Sequence, residues 1–209
     1  MKIQYILMIW FVAMLFSSCS DREESREAVN VDNVESFGEL PEMSIYHLPG
    51  LWTDQDSNSY ELNELRGKVL VMVMIYTSCK AACPRLVADM RRIEEQVPEE
   101  FGDEVQYIMV SIDPETDTPS RMKVFAAENE MDGDQWLFLR SDEETTREFA
   151  SVLAVNYKKI SPIDFSHSNI ISVFDREGEM VFQQEGLDVA HNKTVQTIKN
   201  LASSSSTDR

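Results

Sequence analysis

The sequence predicts an α/β fold in which helices flank a central mixed sheet that has parallel strands and an antiparallel edge. The main observation is the apolar run Val69–Tyr76, which is typical of a strand buried on both faces. A helical pattern begins at Leu86, and strand-like and helix-like patterns then alternate along the chain. Near the end, two strand-like segments flank Asp175–Gly178, a turn sequence that predicts a hairpin.

The folded domain is predicted to cover residues 43–202. It opens with short extended pieces around a turn at Asp54–Ser59, which come before the central strand. After the helix that follows this strand, Val105–Ile112 predicts a second buried strand. Thr118 is a good helix cap and proline suits the first helical position, so a helix is predicted over residues 119–128.

The second half of the domain continues the alternation. The short apolar run Trp136–Leu139 predicts a strand, and capping-box spacing predicts a helix over Asp142–Val155. Asn169–Phe174 and Met180–Gln184 predict the hairpin strands, and a last helix is predicted from about Asn192. This order of elements is that of the thioredoxin fold, in which the reactive cysteine follows the first core strand.

Composition limits the classes of partner. The chain has 209 residues, 43% of them hydrophobic, which is enough for a core. Its formal charge of −18 argues against nucleic acid as a partner and against attraction to anionic membrane surfaces. An acidic chain would instead attract cations, although acidity also serves solubility.

The N-terminus predicts export. Residues 1–18 are interpreted as a lipoprotein signal peptide, because one lysine precedes an apolar core and two serines precede Cys19. This pattern resembles the lipobox of bacterial lipoproteins, in which the cysteine is lipidated. Cys19 is therefore the predicted lipidation site, which places the domain outside the cytoplasm in a bacterial cell envelope. An ordinary signal peptide or an uncleaved anchor is the alternative.

Two segments are predicted to lie outside the fold. Residues 19–42 are acidic and low in apolar content, which is typical of a flexible tether between a membrane anchor and a domain. The serine-rich residues 203–209 are predicted to be a disordered tail.

Cys79 and Cys83 follow the central strand directly and are four positions apart. On one turn of helix they would share a face, so two thiolates could bind one metal ion or join as a disulfide. Soft thiolates select Cu(I), or Zn(II) when more ligands are present. Lys80 and the helix N-terminus are expected to lower the thiol pKa values. A plain structural disulfide is the alternative.

His167 comes just before a predicted core strand and after a long loop. In thioredoxin-like folds this position lies against the cysteine loop, so the imidazole could reach both sulfurs. Two sulfurs and one nitrogen suit Cu(II). A hydrogen-bonded loop histidine is the alternative. His191 is expected to be exposed at the start of the last helix, and Met72 and Met74 are expected in the core.

Three motifs occur in order: YTSCKAACP, SIDPETDTPSRM and DFSHSNIISVFDREGEMV. Together they resemble the Sco/SenC family, thioredoxin-like copper proteins of the bacterial periplasm and the mitochondrial intermembrane space. The resemblance implies that Cys79, Cys83 and His167 are copper ligands and that Asp113 has an outer-shell role. It also implies a client, the copper-bearing subunit of cytochrome c oxidase, whose dinuclear copper centre the family supplies or matures.

Two functional classes remain open. A copper metallochaperone would bind Cu(I) or Cu(II) and hand it on, whereas a thiol-disulfide oxidoreductase would cycle Cys79 and Cys83 without metal. His167 favours copper, because disulfide exchange needs only the two cysteines. A peroxidase is disfavoured, because no cysteine with an arginine placed over it is recognisable in the sequence.

Overall fold

The computed structural model describes residues 38–80 and 82–204. The strands in this part of the chain are β1 (Trp52–Thr53), β2 (Ser59–Tyr60), β3 (Val69–Ile75), β4 (Val105–Ser111), β5 (Trp136–Leu139), β6 (Tyr157–Ser161), β7 (Asp164–His167), β8 (Ile170–Phe174) and β9 (Met180–Glu185). The α-helices are α1 (Cys83–Gln96), α2 (Pro119–Glu128), α3 (Glu143–Val152) and α4 (Asn192–Ser203). Short 3-10 helices cover Ile45–His47, Leu62–Leu65 and Glu99–Glu104.

The central sheet has five strands in the order β5-β4-β3-β8-β9. Strands β3, β4 and β5 run parallel, and β8 and β9 add an antiparallel edge. The helices flank this sheet, so the predicted mixed α/β fold is confirmed. Parallel strands that share an edge bring the loops after their carboxyl ends together. The loops after β3 and β4 are those that hold the cysteines and the DPETDTP stretch.

The central strand forms because all seven of its side chains are apolar, and all seven are buried. Met72 and Met74 are among them and belong to the core, as predicted. Helix α1 then packs its apolar stripe inward through Leu86, Met90 and Ile93. Its first turn contains a proline, which lacks the amide hydrogen that would be unpaired at that position.

The predicted strands and helices occur with boundaries moved by up to three residues, and one element was not predicted. Strands β6 and β7 form a separate two-stranded antiparallel sheet. The sequence predicts a long loop for this segment. Every residue of β6 is exposed or half-buried, so the hairpin lacks the buried apolar pattern that revealed the core strands.

The predicted signal peptide, the lipidation site Cys19 and most of the predicted tether lie outside the described residues. The same holds for most of the predicted tail at 203–209. The limits of the folded domain also stay a prediction. None of the helices within 38–80 and 82–204 combines the length and apolar character needed to cross a membrane.

Candidate functional site

The two cysteines lie in the turn that joins β3 to α1. The Cys79 amide donates to the Tyr76 carbonyl at 3.2 Å, which folds the chain back after the strand ends. The Cys83 amide then donates to the Cys79 sulfur, with 3.3 Å between nitrogen and Sγ. Both residues are thiols that are not joined in a disulfide, and Cys83 is buried whereas Cys79 is half-buried. The strand-to-helix turn therefore places both sulfurs on the same side, as the four-residue spacing predicts.

His167 is the last residue of β7, so the unpredicted hairpin carries it to the cysteines. Its Nε2 lies 3.6 Å from the Cys83 sulfur. The two sulfurs and one imidazole nitrogen lie within 4.8 Å of one another. Among the described residues this is the group of His, Cys, Asp and Glu side chains whose spacing could hold a metal ion. The structure thus brings together Cys79, Cys83 and His167.

The hydrogen bond on the far side of the ring orients His167. Its Nδ1 lies 3.0 Å from the Ser168 carbonyl oxygen. A carbonyl can only accept, so Nδ1 carries the proton and Nε2 keeps its lone pair on the side of Cys83. Burial lowers the pKa of His167, which favours the neutral ring. An oriented neutral imidazole of this kind is the form in which histidine binds metals.

The expected acidity of the thiols is wrong for Cys83. Burial raises the pKa of the Cys83 thiol, and the neighbouring Cys79 and the charge of Asp117 raise it further. The helix N-terminus and Lys80 were expected to lower it. Cys83 is 1% exposed, whereas Lys80 is on the surface. The loss of hydration outweighs the field of the helix end, because a buried thiolate has lost its water.

Asp117, which sequence reasoning passed over, ties the β4 loop to the cysteine loop. Its carboxylate is fully buried and accepts the Thr77 amide at 3.2 Å and the Ser111 hydroxyl at 2.6 Å. The Thr77 hydroxyl also donates to it. Burial raises the pKa of Asp117, and these hydrogen bonds oppose the rise. Its signal is present in DPETDTP, but the sequence points there only to the helix cap at Thr118 and, through the family resemblance, to Asp113.

Asp113 lies in the same loop and is buried. Its amide donates to the Ser111 hydroxyl at 3.0 Å, and its carbonyl accepts the Asp117 amide at 2.9 Å. The charge of Asp113 raises the pKa of Asp117, so the two carboxyl groups are neighbours. The backbone of Asp113 shapes the loop, and the outer-shell role of its side chain stays a prediction.

Tyr76, the residue after β3, is a second contact that the sequence did not reveal. Its phenol donates to the carboxylate of Asp164, and its ring meets the His167 ring edge-on at 5.8 Å between centroids. Tyr76 and Asp164 both occur within the motifs that suggested the site. Nothing in a single sequence shows that the end of a core strand reaches a distant hairpin.

The expectation that His191 is exposed is wrong. It is buried against helix α1, where its Nε2 lies 3.2 Å from a carboxylate oxygen of Asp89. Its Nδ1 lies 2.8 Å from the side-chain nitrogen of Gln184. Since that amide nitrogen donates, Nδ1 accepts and Nε2 donates to Asp89. His191 therefore joins the last helix to α1 and lies outside the cysteine cluster.

Comparisons with known proteins agree with this geometry. A family model described as SCO1/SenC matches residues 49–203. The SCO1 protein homolog of Bacillus subtilis (strain 168) is 29% identical over 143 residues, which are 67% of this chain and 74% of that protein. The crystal structure of a SCO1/SenC family lipoprotein from Bacillus anthracis str. Ames is 25% identical. The match covers 73% of this chain and 92% of the chain in that structure, with a TM-score of 0.67.

A second solved structure is ScoI of Bradyrhizobium japonicum, determined with copper bound. It is 24% identical, with a TM-score of 0.60, and the match covers 73% of this chain and 97% of ScoI. These likenesses confirm the predicted thioredoxin-like arrangement of the sheet and its helices.

Proposed function

The chain belongs to the SCO1/SenC family, and from this premise we propose that it is a copper metallochaperone. In this proposal Cys79, Cys83 and His167 hold the copper as cargo. The observation that carries the proposal is the convergence of two sulfurs and one nitrogen within 4.8 Å of one another. Three donors from two separate segments meet at one point, which a plain structural disulfide would not require.

The donor set fits copper in both oxidation states. Thiolates are soft ligands that suit Cu(I), and an imidazole nitrogen beside them suits Cu(II). The Ser168 carbonyl fixes the proton on Nδ1 of His167, so the other nitrogen is available as a ligand. Copper binding must release the thiol protons, and the high pKa of Cys83 makes this step depend on pH. A copper relative such as ScoI agrees with this assignment.

The client follows from the family resemblance. We expect the chain to deliver copper to the dinuclear copper centre of cytochrome c oxidase, or to mature that centre, through contact with the copper-bearing subunit. Lipidation of Cys19 would anchor the domain outside the cytoplasm. The related protein of Bacillus anthracis is described as a lipoprotein, which supports this part of the proposal. Asp113 would act from outside the ligand shell.

A thiol-disulfide oxidoreductase is the second candidate, and the placement of two cysteine thiols in one turn favours it. Cys79 is the more exposed of the two residues, and the Cys83 amide donates to its sulfur at 3.3 Å. The Cys79 thiolate could attack a client disulfide and form a mixed disulfide. Cys83 would then displace the client thiol and close the Cys79–Cys83 disulfide. Two electrons pass to the client in this exchange.

The deciding experiment is an anaerobic copper titration of the reduced full-length chain, with the Cys79→Ala/Cys83→Ala double variant as control. We expect the wild-type chain to bind one Cu(I) and the control to bind none. His167→Ala should weaken Cu(II) binding more than Cu(I) binding and should alter the visible thiolate-to-copper charge-transfer band. The Cys79–Cys83 disulfide should still form and be reduced in this variant.

Two results would contradict the copper proposal. The first is a wild-type chain that binds copper no better than the double cysteine variant. The second is a His167→Ala variant with unchanged Cu(II) spectrum and affinity, which would remove the histidine from the site. If disulfide exchange with a model substrate stays fast in either case, the oxidoreductase becomes the better description.

A further inference from the structure

The hairpin that carries His167 has little backbone attachment to the sheet. Within residues 38–80 and 82–204, strands β6 and β7 pair with each other and form no ladder with the five-stranded sheet. At the base of the hairpin the Ser168 amide donates to the Asn156 carbonyl at 2.9 Å. This bond joins the two ends of the hairpin to each other and does not attach the hairpin to the sheet. The distance from His167 to the cysteines therefore depends on the short link from His167 to Ile170 of β8 and on side-chain contacts between the hairpin and the body.

One such contact is at the surface. The Lys159 ammonium lies 3.3 Å from the Glu115 carboxylate, and both side chains are well exposed. Exposed ion pairs of this kind contribute little, because water and salt screen them. This pair is too weak to define the position of the hairpin.

A second contact is buried and centres on Tyr76, beside the packing of Tyr157 and Phe165 against the core. The Tyr76 side chain comes from the end of β3, is 1% exposed and reaches the hairpin at two neighbouring residues. Its hydroxyl donates to the Asp164 carboxylate and accepts the Phe165 amide at 3.3 Å, and this amide also donates to the Asp164 carboxylate at 3.1 Å. The Phe165 carbonyl is also 3.3 Å from this hydroxyl, but a phenol has one proton, and a carboxylate is the stronger acceptor.

The ring of Tyr76 completes the contact. It packs against Phe165 at 5.1 Å and meets the edge of His167 at 5.8 Å, both measured between ring centroids. Tyr76 also stands three residues before Cys79, whose amide bonds to the Tyr76 carbonyl. A single residue thus holds the start of the cysteine turn with its backbone and the histidine hairpin with its side chain.

We propose that Tyr76 and Asp164 form a latch that positions His167 against the two sulfurs and so sets the preference of the site for Cu(II) over Cu(I). This inference rests on the proposed copper function. Cu(I) is satisfied by two sulfurs, whereas Cu(II) gains from the added nitrogen. A released hairpin therefore weakens Cu(II) binding and leaves Cu(I) binding nearly intact. Tyr76 acts here as a positioning residue, because its effect passes through His167.

The first test needs no copper. Tyr76→Phe keeps the buried ring and removes the hydroxyl that holds the Asp164 carboxylate and shares the Phe165 amide with it. Because the hairpin then opens more easily, hydrogen exchange at the Phe165 amide of the full-length copper-free chain should become about fivefold faster, which is the change that roughly 1 kcal/mol of lost hydrogen-bond free energy produces. Amides of β3 and β4 should keep their protection, which shows that the fold is intact.

Tyr157→Phe is the matched control. Tyr157 lies on the same hairpin, opposite His167 in the strand register. Its hydroxyl is buried but has no hydrogen-bond partner among the described residues. Loss of this hydroxyl removes the same atoms without breaking a hydrogen bond. Exchange at Phe165 and copper binding should therefore match the wild-type chain.

The second test measures copper. Loss of a residue that orients a metal ligand typically costs about 10- to 100-fold in metal affinity. Tyr76→Phe should accordingly weaken Cu(II) about tenfold and change Cu(I) affinity far less. The copper reduction potential would then rise by about 59 mV for each tenfold difference. Asp164→Ala should behave like Tyr76→Phe, and Asp164→Asn, which keeps an acceptor oxygen, should restore most of the Cu(II) affinity.

The outcomes separate the latch from the function on which it rests. If Tyr76→Phe matches Tyr157→Phe in Phe165 exchange and in the ratio of Cu(II) to Cu(I) affinity, the latch is refuted. An equal loss of Cu(II) and Cu(I) affinity also refutes the latch. Such a loss would mean that the whole metal site is damaged, whereas misplacement of His167 should affect Cu(II) binding more. If the wild-type chain binds no copper, the proposed function fails, and exchange at Phe165 still decides whether Tyr76 holds the hairpin.

Discussion

Replacement of Asp117 tests whether a buried carboxylate holds the cysteine loop against the sheet. Asp117 is fully buried and accepts one amide and two hydroxyls, from Thr77 and Ser111. Asp117→Ala removes all three acceptor contacts. The Thr77 amide cannot rotate to another partner, and an unpaired buried donor costs about 1–3 kcal/mol. The Thr77 and Ser111 hydroxyls can rotate to other partners, which reduces the loss. The variant also no longer has to bury the charge of the Asp117 carboxylate, which reduces the loss further.

These terms lead to an expected loss of about 3 kcal/mol in the free energy of unfolding of the copper-free reduced chain. For a domain of this size each kcal/mol lowers Tm by about 2–4 °C, so Tm should fall by about 10 °C. Asp117→Asn keeps the volume and one acceptor oxygen and should cost about 1 kcal/mol. Calorimetry and denaturant titration measure both quantities.

The pH dependence supplies an independent check with a definite sign. Burial raises the pKa of Asp117 above its ordinary value of 3.8. Between 3.8 and the raised value the folded state therefore holds more protons than the unfolded state, and stability falls as pH rises through this window. Asp117→Asn lacks this titration. The stability of the variant relative to the wild-type chain should thus improve as pH rises from below 3.8.

Glu115→Ala is the matched control, since Glu115 stands in the same loop but its side chain is 82% exposed. Its replacement should change stability by no more than about 0.5 kcal/mol. The reasoning is refuted if Asp117→Ala costs no more than Glu115→Ala. It is also refuted if the difference between Asp117→Asn and the wild-type chain stays constant across the acid range.

Three further predictions concern the anchor, the thiols and the acidic neighbour of the site. Cys19→Ala should move the protein from the membrane to the soluble fraction, and a variant that stays membrane-bound would contradict lipidation. Alkylation of the reduced chain at neutral pH should modify Cys79 before Cys83, because burial shields Cys83 and raises the pKa of its thiol; equal rates would contradict this order. Asp113→Ala should weaken copper binding by about tenfold if Asp113 acts from the outer shell, and unchanged affinity in the same titration would remove it from the site.

The cysteine turn shows how two opposing effects on one thiol are resolved. A helix N-terminus stabilises a thiolate, and this effect was visible in the sequence as a cysteine pair before a helix. Burial opposes it, and burial depends on what covers the turn. In the fold Cys83 is covered by its own helix turn and by the His167 hairpin. The local pattern predicts the first effect only, so the sign of the shift at Cys83 was missed.

The α/β class, the order of the core elements and the place of the two cysteines after the central strand can all be predicted from the amino-acid sequence. Each of these depends on local patterns: a run of seven buried apolar residues in β3, the helical period of α1, and a turn between β8 and β9. Motifs in order also pointed to His167. Signals of this kind extend over a few residues, so a single sequence displays them.

How His167 reaches the sulfurs, and which contacts hold it there, became visible in the three-dimensional fold. The hairpin of β6 and β7 is mostly exposed, so it has no apolar period to detect. The contacts from Tyr76 to Asp164 and from Asp117 to Thr77 join residues 88 and 40 positions apart. Such contacts form because the sheet order brings distant loops to one edge, and polar side chains buried there must find partners.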